Sequence, residues 1–179
     1  MPDSTFPAPA TSASALERQL AAQRARRPAD PLLSLVVPVF NEEESIDLFL
    51  DTVEPLMARD GFRFEIVFVN DGSRDDTLGH LLDRSATDSR LRIVNLSRNF
   101  GKEAALTAGI EHAQGDVIVP MDIDLQDPPE LIEPFMARWR EGYDIVYGVR
   151  AQRSWWSSKR LQEPTAKLVS TTRSDNATS

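Results

Sequence analysis

Two aspartates separated by one residue, Asp122 and Asp124, directly follow an apolar run, and Gln126 comes two positions later. Carboxylate and amide oxygens are the ligands that Mg²⁺ and Mn²⁺ prefer, whereas zinc and copper sites usually include nitrogen or sulfur. The spacing therefore predicts a site for one divalent cation, Mg²⁺ or Mn²⁺. An Asp-x-Asp triplet also arises by chance in an acidic chain and then forms a capped turn, so this alternative stays open.

A second polar group, Asn70-Asp71-Gly72-Ser73, follows another apolar run. The Asp71 carboxylate can accept a hydrogen bond from a ring N–H of uracil or guanine. The same residue types also build ordinary turns. The group is thus interpreted either as part of a nucleoside site or as a turn.

Charged residues follow two further apolar runs. The three glutamates at 42–44 favour the start of a helix because they complement its dipole, and Glu42 is also placed to touch a ligand. Arg98 and Lys102 flank a short loop, where their cations can meet a diphosphate or simply begin a solvated helix. Both interpretations stay open for the acidic group and for the two cations.

Strands and helices are predicted to alternate along the chain, and this order brings the polar groups together. Because most strands read as apolar runs, we expect a mostly parallel sheet with helices on both faces, which is an α/β fold. Ligands of such sheets bind beyond the carboxyl ends of the strands, where these polar groups lie. Asn41 is predicted to cap the first core helix, and Pro55 to kink or end it. The predicted strands are residues 35–39, 64–69, 91–96, 116–121 and 144–147.

The composition indicates a globular protein and excludes several functional classes. With Lys+Arg 20 against Asp+Glu 28, the formal net charge is −8, so there is no global basic field to bind nucleic acid. The absence of cysteine excludes disulfides, thiolate zinc sites and cysteine nucleophiles. The N-terminus lacks a signal-peptide pattern, and no apolar run approaches the ~20 residues of a membrane helix. A cytoplasmic location is therefore expected.

The 179 residues are expected to contain one core domain between two tails. Residues 1–31 are predicted to be a flexible N-terminal tail with a short helix at 15–27, since residues 1–14 are rich in Pro, Ala, Ser and Thr. Residues 32–160 form the predicted core domain. Residues 161–179 become Ser/Thr-rich and lack aromatic side chains, so they are predicted to be a disordered tail.

Four segments follow one another along the chain: Val37-Pro38-Val39-Phe40-Asn41-Glu42, Val69-Asn70-Asp71-Gly72-Ser73, residues 96–105 and residues 121–130. In this order they resemble the motifs of family 2 glycosyltransferases, specifically the polyprenyl-phosphate (bactoprenol or dolichol phosphate) glycosyltransferases. The similarity extends over about residues 33–156. It implies a GT-A nucleotide-diphospho-sugar transferase fold and an inverting transfer of a sugar from a UDP- or GDP-sugar to a polyprenyl phosphate lipid.

The resemblance also implies roles for individual residues. It assigns Pro38, Phe40, Glu42 and Asp71 to the nucleoside, and Asp122, Asp124 and Gln126 to the metal and the diphosphate. Asp124 and Arg150 are the expected catalytic residues, with Arg150 near the acceptor phosphate, and Lys102 is expected to contact the nucleotide sugar. A phosphate acceptor is already largely ionised at neutral pH, so no general base is required. Trp155 and Trp156 are expected to contact a membrane surface, which would place the protein at the cytoplasmic face of the membrane.

The sequence departs from the family pattern after Arg160. Family members continue into an acceptor loop and usually into membrane helices, and no such pattern follows here. The chain is therefore expected to be a truncated or frame-shifted product that keeps donor binding and loses lipid glycosylation.

Two other functions are compared with this enzyme. A non-catalytic nucleotide-sugar-binding or regulatory module would keep the same fold without turnover. A nucleotidyltransferase would normally show a Gly-rich, basic loop after the first strand, whereas Phe40-Asn41-Glu42 is aromatic and acidic. The sequence leaves open which sugar, which nucleotide, which lipid and which oligomeric state apply.

Overall fold

Strands and helices alternate throughout the computed structural model, which describes residues 12–148. The strands are β1 (Leu32–Val39), β2 (Arg63–Asn70), β3 (Leu91–Asn95) and β4 (Val117–Pro120). The helices are α1 (Ser12–Arg26), α2 (Ser45–Arg59), α3 (Thr77–Thr87), α4 (Lys102–His112) and α5 (Ile132–Arg140), the last preceded by a 3₁₀ turn at Pro129–Leu131. The predicted α/β organisation is confirmed.

The four strands form one parallel sheet in the order β3-β2-β1-β4. β1 pairs with β2 over its whole length, from Leu32 opposite Arg63 to Val39 opposite Asn70, and β4 lies along the other side of β1. The chain therefore builds the sheet outward from β1 to β3 and then returns to the opposite side of β1. Because the strand order reverses between β1 and β4, a crevice opens beyond their carboxyl ends.

The helices cover the two faces of the sheet unequally. On one face, residues of α2, α3 and α5 join the larger core, which includes Phe49, Phe68 and Trp139. Each buried side chain of this kind contributes about 1.5–3 kcal/mol to folding. On the other face, α4 packs against Val36 and its neighbours. A Cβ at Gly109 would lie 2.3 Å from Val36 Cγ1, so the glycine allows α4 to approach the sheet closely.

One predicted detail at the start of the fold is wrong. Asn41 does not cap α2, which begins at Ser45. Asn41 instead has a φ of 57°, and its side-chain oxygen accepts the Arg74 N–H at 2.8 Å. Pro55, which was predicted to kink or end this helix, does not end it, and a kink at Pro55 remains a prediction. The carbonyl of Asp51, which loses its N–H partner to the proline, belongs to an exposed turn where water can replace that partner.

The predicted fifth strand at 144–147 is also wrong. Within this described segment only Tyr147 takes part in a single β-bridge. Ile145 and Tyr147 are 60% and 66% exposed, so the segment buries too little apolar surface to pair along its length. Asp144 instead forms an ion pair with Arg27 at 2.9 Å.

Helix α1 is held at its C-terminal end by the segment that follows α5. The Arg24 guanidinium donates to the Glu141 carbonyl at 3.1 Å, and the Arg27 guanidinium lies 4.5 Å above the Trp139 ring. Residues 1–11 and 149–179 lie outside the described residues, so the predicted domain boundaries remain a prediction. Between residues 12 and 148, none of the helices combines the length and the apolar character needed to cross a bilayer.

Candidate functional site

A cleft of about 200 Å³ lies beyond the carboxyl ends of β1 and β4, where the strand order reverses. It brings together the residues predicted to contact the nucleoside, Lys102, and both aspartates of the predicted cation site, but not Arg98. Gln126 does not line it, and Arg150 lies outside the described residues. The lining residues are Pro38, Val39, Phe40, Glu42, Asp71, Lys102, Asp122, Ile123 and Asp124.

The loop after β1 is held in place by the loop that follows β2. The Asn41 N–H donates to Ser73 Oγ at 3.0 Å, and the Glu42 N–H donates to Thr77 Oγ1 at 2.9 Å. The Glu42 carboxylate accepts the Ser45 hydroxyl at 2.6 Å, so Glu42 both supports the start of α2 and faces the cleft. Phe40 is 40% exposed at the rim, with its ring available to a ligand.

Asp75 stabilises the contact between the loops that follow β1 and β2. Its carboxylate accepts the Thr77 hydroxyl at 2.6 Å, and that hydroxyl in turn accepts the Glu42 N–H. Burial raises the pKa of the Asp75 carboxyl, but hydrogen bonds from Thr77 and from the backbone N–H groups of Glu43 and Asp75 together outweigh burial and leave the pKa below its ordinary value. Asp75 therefore stays ionised at neutral pH and keeps Thr77 oriented toward Glu42.

Asp71 connects the end of β2 to the start of α4. The residue is only 3% exposed, and its carboxylate accepts the N–H groups of Phe100 and Gly101 at 2.7 and 2.9 Å. Gly72 allows this contact, because with a φ of 67° a Cβ there would lie 2.4 Å from the Arg98 carbonyl carbon. Each Asp71 oxygen retains a lone pair for a ligand. Asp71 thus positions the neighbouring loop and also lines the cleft.

Lys102 and Asp122 form an ion pair across the cleft, with 2.6 Å between Nζ and Oδ1. The lysine is the first residue of α4, and the aspartate follows β4. Their side chains are 62% and 37% exposed, so both remain accessible to a ligand. Sequence reasoning predicted each residue separately and missed the pair, because twenty positions separate them in the chain.

A tight turn carries the two aspartates of the predicted cation site. The Leu125 N–H donates to the Asp122 carbonyl at 3.2 Å, and Leu125 has a φ of 54°, which is unusual for a branched side chain. Asp124 Oδ1 accepts the Gln126 N–H at 3.1 Å. Gln126 therefore supports Asp124 through its backbone, and the predicted role of its side chain as a metal ligand remains a prediction.

The donor set of this turn fits a hard cation only in part. Asp122 and Asp124 supply carboxylate oxygens, which Mg²⁺ and Mn²⁺ favour. Among residues 12–148, no group of three or more His, Asp or Glu side chains is arranged to hold a metal ion. A cation here would need further oxygens from water and from a bound ligand, and a diphosphate provides such oxygens.

Two features of the cleft were not predicted. Val39 and Ile123 give it an apolar floor, and they are only 2% and 7% exposed. At the neighbouring loop, the Arg98 guanidinium lies 4.6 Å from the centre of the Phe100 ring. The alternation of buried and polar residues around Asp122 could have indicated Ile123, whereas nothing in the sequence indicates the stacking of Arg98 on Phe100.

Curated proteins resemble this chain over most of its length. The sequence pattern described as glycosyl transferase family 2 matches residues 34–173. An uncharacterized glycosyltransferase of Synechocystis sp. is 50% identical over 121 residues, which are 68% of this chain and 38% of that protein. A prophage bactoprenol glucosyl transferase homolog of Escherichia coli is 45% identical over 135 residues, which are 75% of this chain and 44% of that protein. The chain thus spans less than half the length of these relatives.

Solved structures share the fold. A mannosyltransferase of Pyrobaculum calidifontis, in complex with GDP-Man and Mn²⁺, has a TM-score of 0.57 at 22% identity over 79% of this chain and 44% of that one. Glucosyl-3-phosphoglycerate synthase of Mycobacterium tuberculosis has a TM-score of 0.53 at 27% identity over 77% of this chain and 50% of that one. The predicted GT-A type of α/β fold is confirmed by these matches together with the parallel sheet. Because the family pattern covers most of its residues, the chain belongs to glycosyl transferase family 2.

Proposed function

We propose that this chain is the donor-binding part of an inverting glycosyltransferase that moves a sugar from a UDP- or GDP-sugar to a polyprenyl phosphate. One observation carries the proposal. The cleft at the reversal of strand order collects Phe40, Asp71, Lys102, Asp122 and Asp124, which come from four separate connections of the sheet. Ligands of open α/β sheets bind at that position.

The residues of the cleft divide between the two ends of a nucleotide sugar. Phe40 offers an exposed aromatic ring on which a nucleobase can stack. Asp71 offers free lone pairs to a base N–H, and Glu42 offers a carboxylate oxygen to a ribose hydroxyl. Asp122 and Asp124 lie on the β4 side, where a diphosphate would then extend. The nucleoside is therefore proposed to lie over β1 and the diphosphate beside β4.

Asp122 and Asp124 would hold Mg²⁺ or Mn²⁺ together with the diphosphate. When bound, such a cation neutralises the charge that develops on the departing diphosphate, and this charge builds up because glycosyl transfer passes through an oxocarbenium-like state. Asp124 is exposed and its Oδ1 is oriented by the Gln126 N–H. The lining residues include no histidine, which is consistent with an acceptor that arrives already ionised.

The names of the bactoprenol glucosyl transferase relatives support a polyprenyl lipid as the acceptor. The cytoplasmic face of a membrane is proposed as the place of transfer. Arg150, proposed to lie near that phosphate, and Trp155 and Trp156, proposed to contact the membrane surface, all lie outside the described residues. Radiolabelled-sugar transfer to polyprenyl phosphate in detergent tests this part of the proposal, and it is run with this chain extended by the C-terminal half of a family 2 relative, because the chain alone is expected to bind donor without making lipid-linked product. Lipid-linked product that falls with Arg150→Ala at unchanged donor affinity supports it. Release of free sugar without lipid product contradicts it.

Calorimetry with UDP and with GDP, first in EDTA and then in Mn²⁺, tests donor binding. We expect Mn²⁺ to raise the affinity for one nucleotide by at least about tenfold, or about 1.4 kcal/mol. Asp124→Asn should abolish that gain. Glu130→Gln is the matched control, since it removes one negative charge from the same segment at an exposed position that does not line the cleft. Equal affinities in EDTA and in Mn²⁺ would refute the cation site.

A further inference from the structure

Lys102 lies where it can affect the binding of both proposed ligands, the divalent cation and the nucleotide diphosphate. Its ammonium lies 2.6 Å from Asp122 Oδ1, one of the oxygens proposed to hold the divalent cation. An ammonium and a divalent cation cannot share one carboxylate oxygen at contact distance without strong repulsion. The two cations therefore compete for Asp122.

The backbone of Lys102 is fixed while its side chain can move. The preceding Gly101 donates its N–H to Asp71 at 2.9 Å, which sets where α4 begins. The lysine side chain is 62% exposed and has several rotatable bonds, so it can leave Asp122 without disturbing packing. A positive charge in the first turn of a helix is unfavourable against the helix dipole. Contact with Asp122 offsets this cost in the free protein.

We propose that Lys102 is a placeholder for the divalent cation. In the nucleotide-free protein its ammonium neutralises Asp122 and weakens the binding of Mg²⁺ or Mn²⁺ alone. When a nucleotide diphosphate arrives with the cation, Lys102 moves from Asp122 to a diphosphate oxygen. The inference rests on the proposed nucleotide-diphosphate site. It makes the cation and the nucleotide bind cooperatively, because each removes an obstacle to the other.

The variant Lys102→Met tests the two proposed effects of the lysine separately: weaker binding of Mn²⁺ alone and stronger binding of the nucleotide diphosphate. Methionine keeps the unbranched shape and the helix propensity of lysine but has no ammonium. Mn²⁺ is titrated without nucleotide while the spectrum of free Mn²⁺ is followed by electron paramagnetic resonance. We expect Mn²⁺ to bind Lys102→Met about fivefold more tightly than the wild type, which is about the value of an exposed ion pair. With Mn²⁺ present, UDP or GDP should bind this variant about tenfold more weakly, because a charged partner of the diphosphate is lost.

Two control variants separate the ion pair from a general effect of charge. Lys102→Arg keeps a cation beside Asp122 and should bind Mn²⁺ as the wild type does. Arg98→Met removes a positive charge from the same loop, but the Arg98 guanidinium lies over the Phe100 ring. The effect of Arg98→Met on Mn²⁺ affinity therefore measures what the loss of any nearby positive charge does, without the loss of the ion pair. Circular dichroism of every variant confirms that the fold is kept.

The outcomes distinguish this inference from the proposed function. It is overturned if Lys102→Met binds nucleotide-free Mn²⁺ no more tightly than Arg98→Met does. It is also overturned if neither the wild type nor Lys102→Met binds Mn²⁺ at millimolar concentrations. If Lys102→Met tightens Mn²⁺ binding but no chain binds UDP or GDP, the competition at Asp122 stands and the proposed function fails. If nucleotides bind with Mn²⁺ but the affinity for Mn²⁺ alone is the same in the wild type and in Lys102→Met, the proposed function stands and the proposed role of Lys102 is wrong.

Discussion

Carboxylates at the two ends of the parallel sheet differ in burial and in hydrogen bonding. At the amino end, Glu65 is 6% exposed, and one of its oxygens accepts the Ser34 hydroxyl at 2.5 Å and the Gln114 N–H at 2.6 Å. At the carboxyl end, the Asp122 side chain is 37% exposed and pairs with an exposed lysine, and Asp124 is exposed. The second Glu65 oxygen lies 3.6 Å from Arg92 Nη1, so internal partners occupy both oxygens of this carboxylate, whereas the other two carboxylates keep oxygens available.

This difference separates groups that stabilise the fold from groups that are proposed to bind a ligand. A buried carboxylate must be hydrogen-bonded within the protein, because leaving it unsatisfied costs several kcal/mol. An exposed carboxylate carries no such cost, since water solvates it until a ligand arrives. Glu65 should therefore affect stability, and the aspartates of the cleft should affect binding.

The largest expected effect is that of Glu65→Ala. The Ser34 hydroxyl and the Gln114 N–H would lose their acceptor, and we expect the free energy of unfolding to fall by about 3 kcal/mol, at about 1–3 kcal/mol for each unsatisfied group. Urea denaturation measures this loss. Glu65→Gln keeps an oxygen acceptor and should lose less stability. A loss under about 1 kcal/mol for the alanine variant would contradict the structural role of Glu65.

An intermediate effect on stability is expected for Asp71→Ala, because Asp71 both stabilises the fold and is proposed to bind the nucleotide. Losing its bonds to the Phe100 and Gly101 N–H groups should lower the free energy of unfolding by about 2 kcal/mol. Affinity for UDP or GDP should also fall, by about 1.5–3 kcal/mol if the base contact exists. Asp71→Asn, which keeps one oxygen, is the control for the positioning role. Unchanged nucleotide affinity would show that Asp71 only positions the loop.

The smallest effect on stability is expected for Asp122→Asn. The ion pair that it removes is exposed, so the free energy of unfolding should change by less than about 1 kcal/mol. The gain in nucleotide affinity that Mn²⁺ provides should nevertheless disappear. Denaturation and calorimetry on one preparation measure both quantities. If stability fell as far as in Glu65→Ala, the contrast between the two ends of the sheet would be wrong.

Local patterns predicted the fold well. Apolar runs such as residues 64–69 located the strands, because a parallel sheet covered on both faces buries its strands continuously. The order of these runs also placed Asp122 and Asp124 at the right edge. The segment at 144–147 was mispredicted, because its apolar residues resemble a strand although Ile145 and Tyr147 stay exposed.

Contacts between distant residues could not be predicted. Lys102 and Asp122 meet only because α4 begins where β4 ends, at the carboxyl edge of the sheet. The bonds from Phe100 and Gly101 to Asp71 depend on a backbone contact that Gly72 permits. The sequence indicates residue types and local periods, whereas these contacts follow from the folded arrangement of three connections.

The positive φ of Leu125 has a consequence for the affinity of the proposed cation site. A flexible turn would lose conformational entropy each time a cation bound between Asp122 and Asp124. Leu125 packs against the core with its backbone already in the left-handed region, so most of that entropy is lost when the chain folds. The turn is thus preorganised at the expense of some native stability. If the proposed cation binds here, loosening the packing around Leu125 would weaken its binding without altering a single carboxylate.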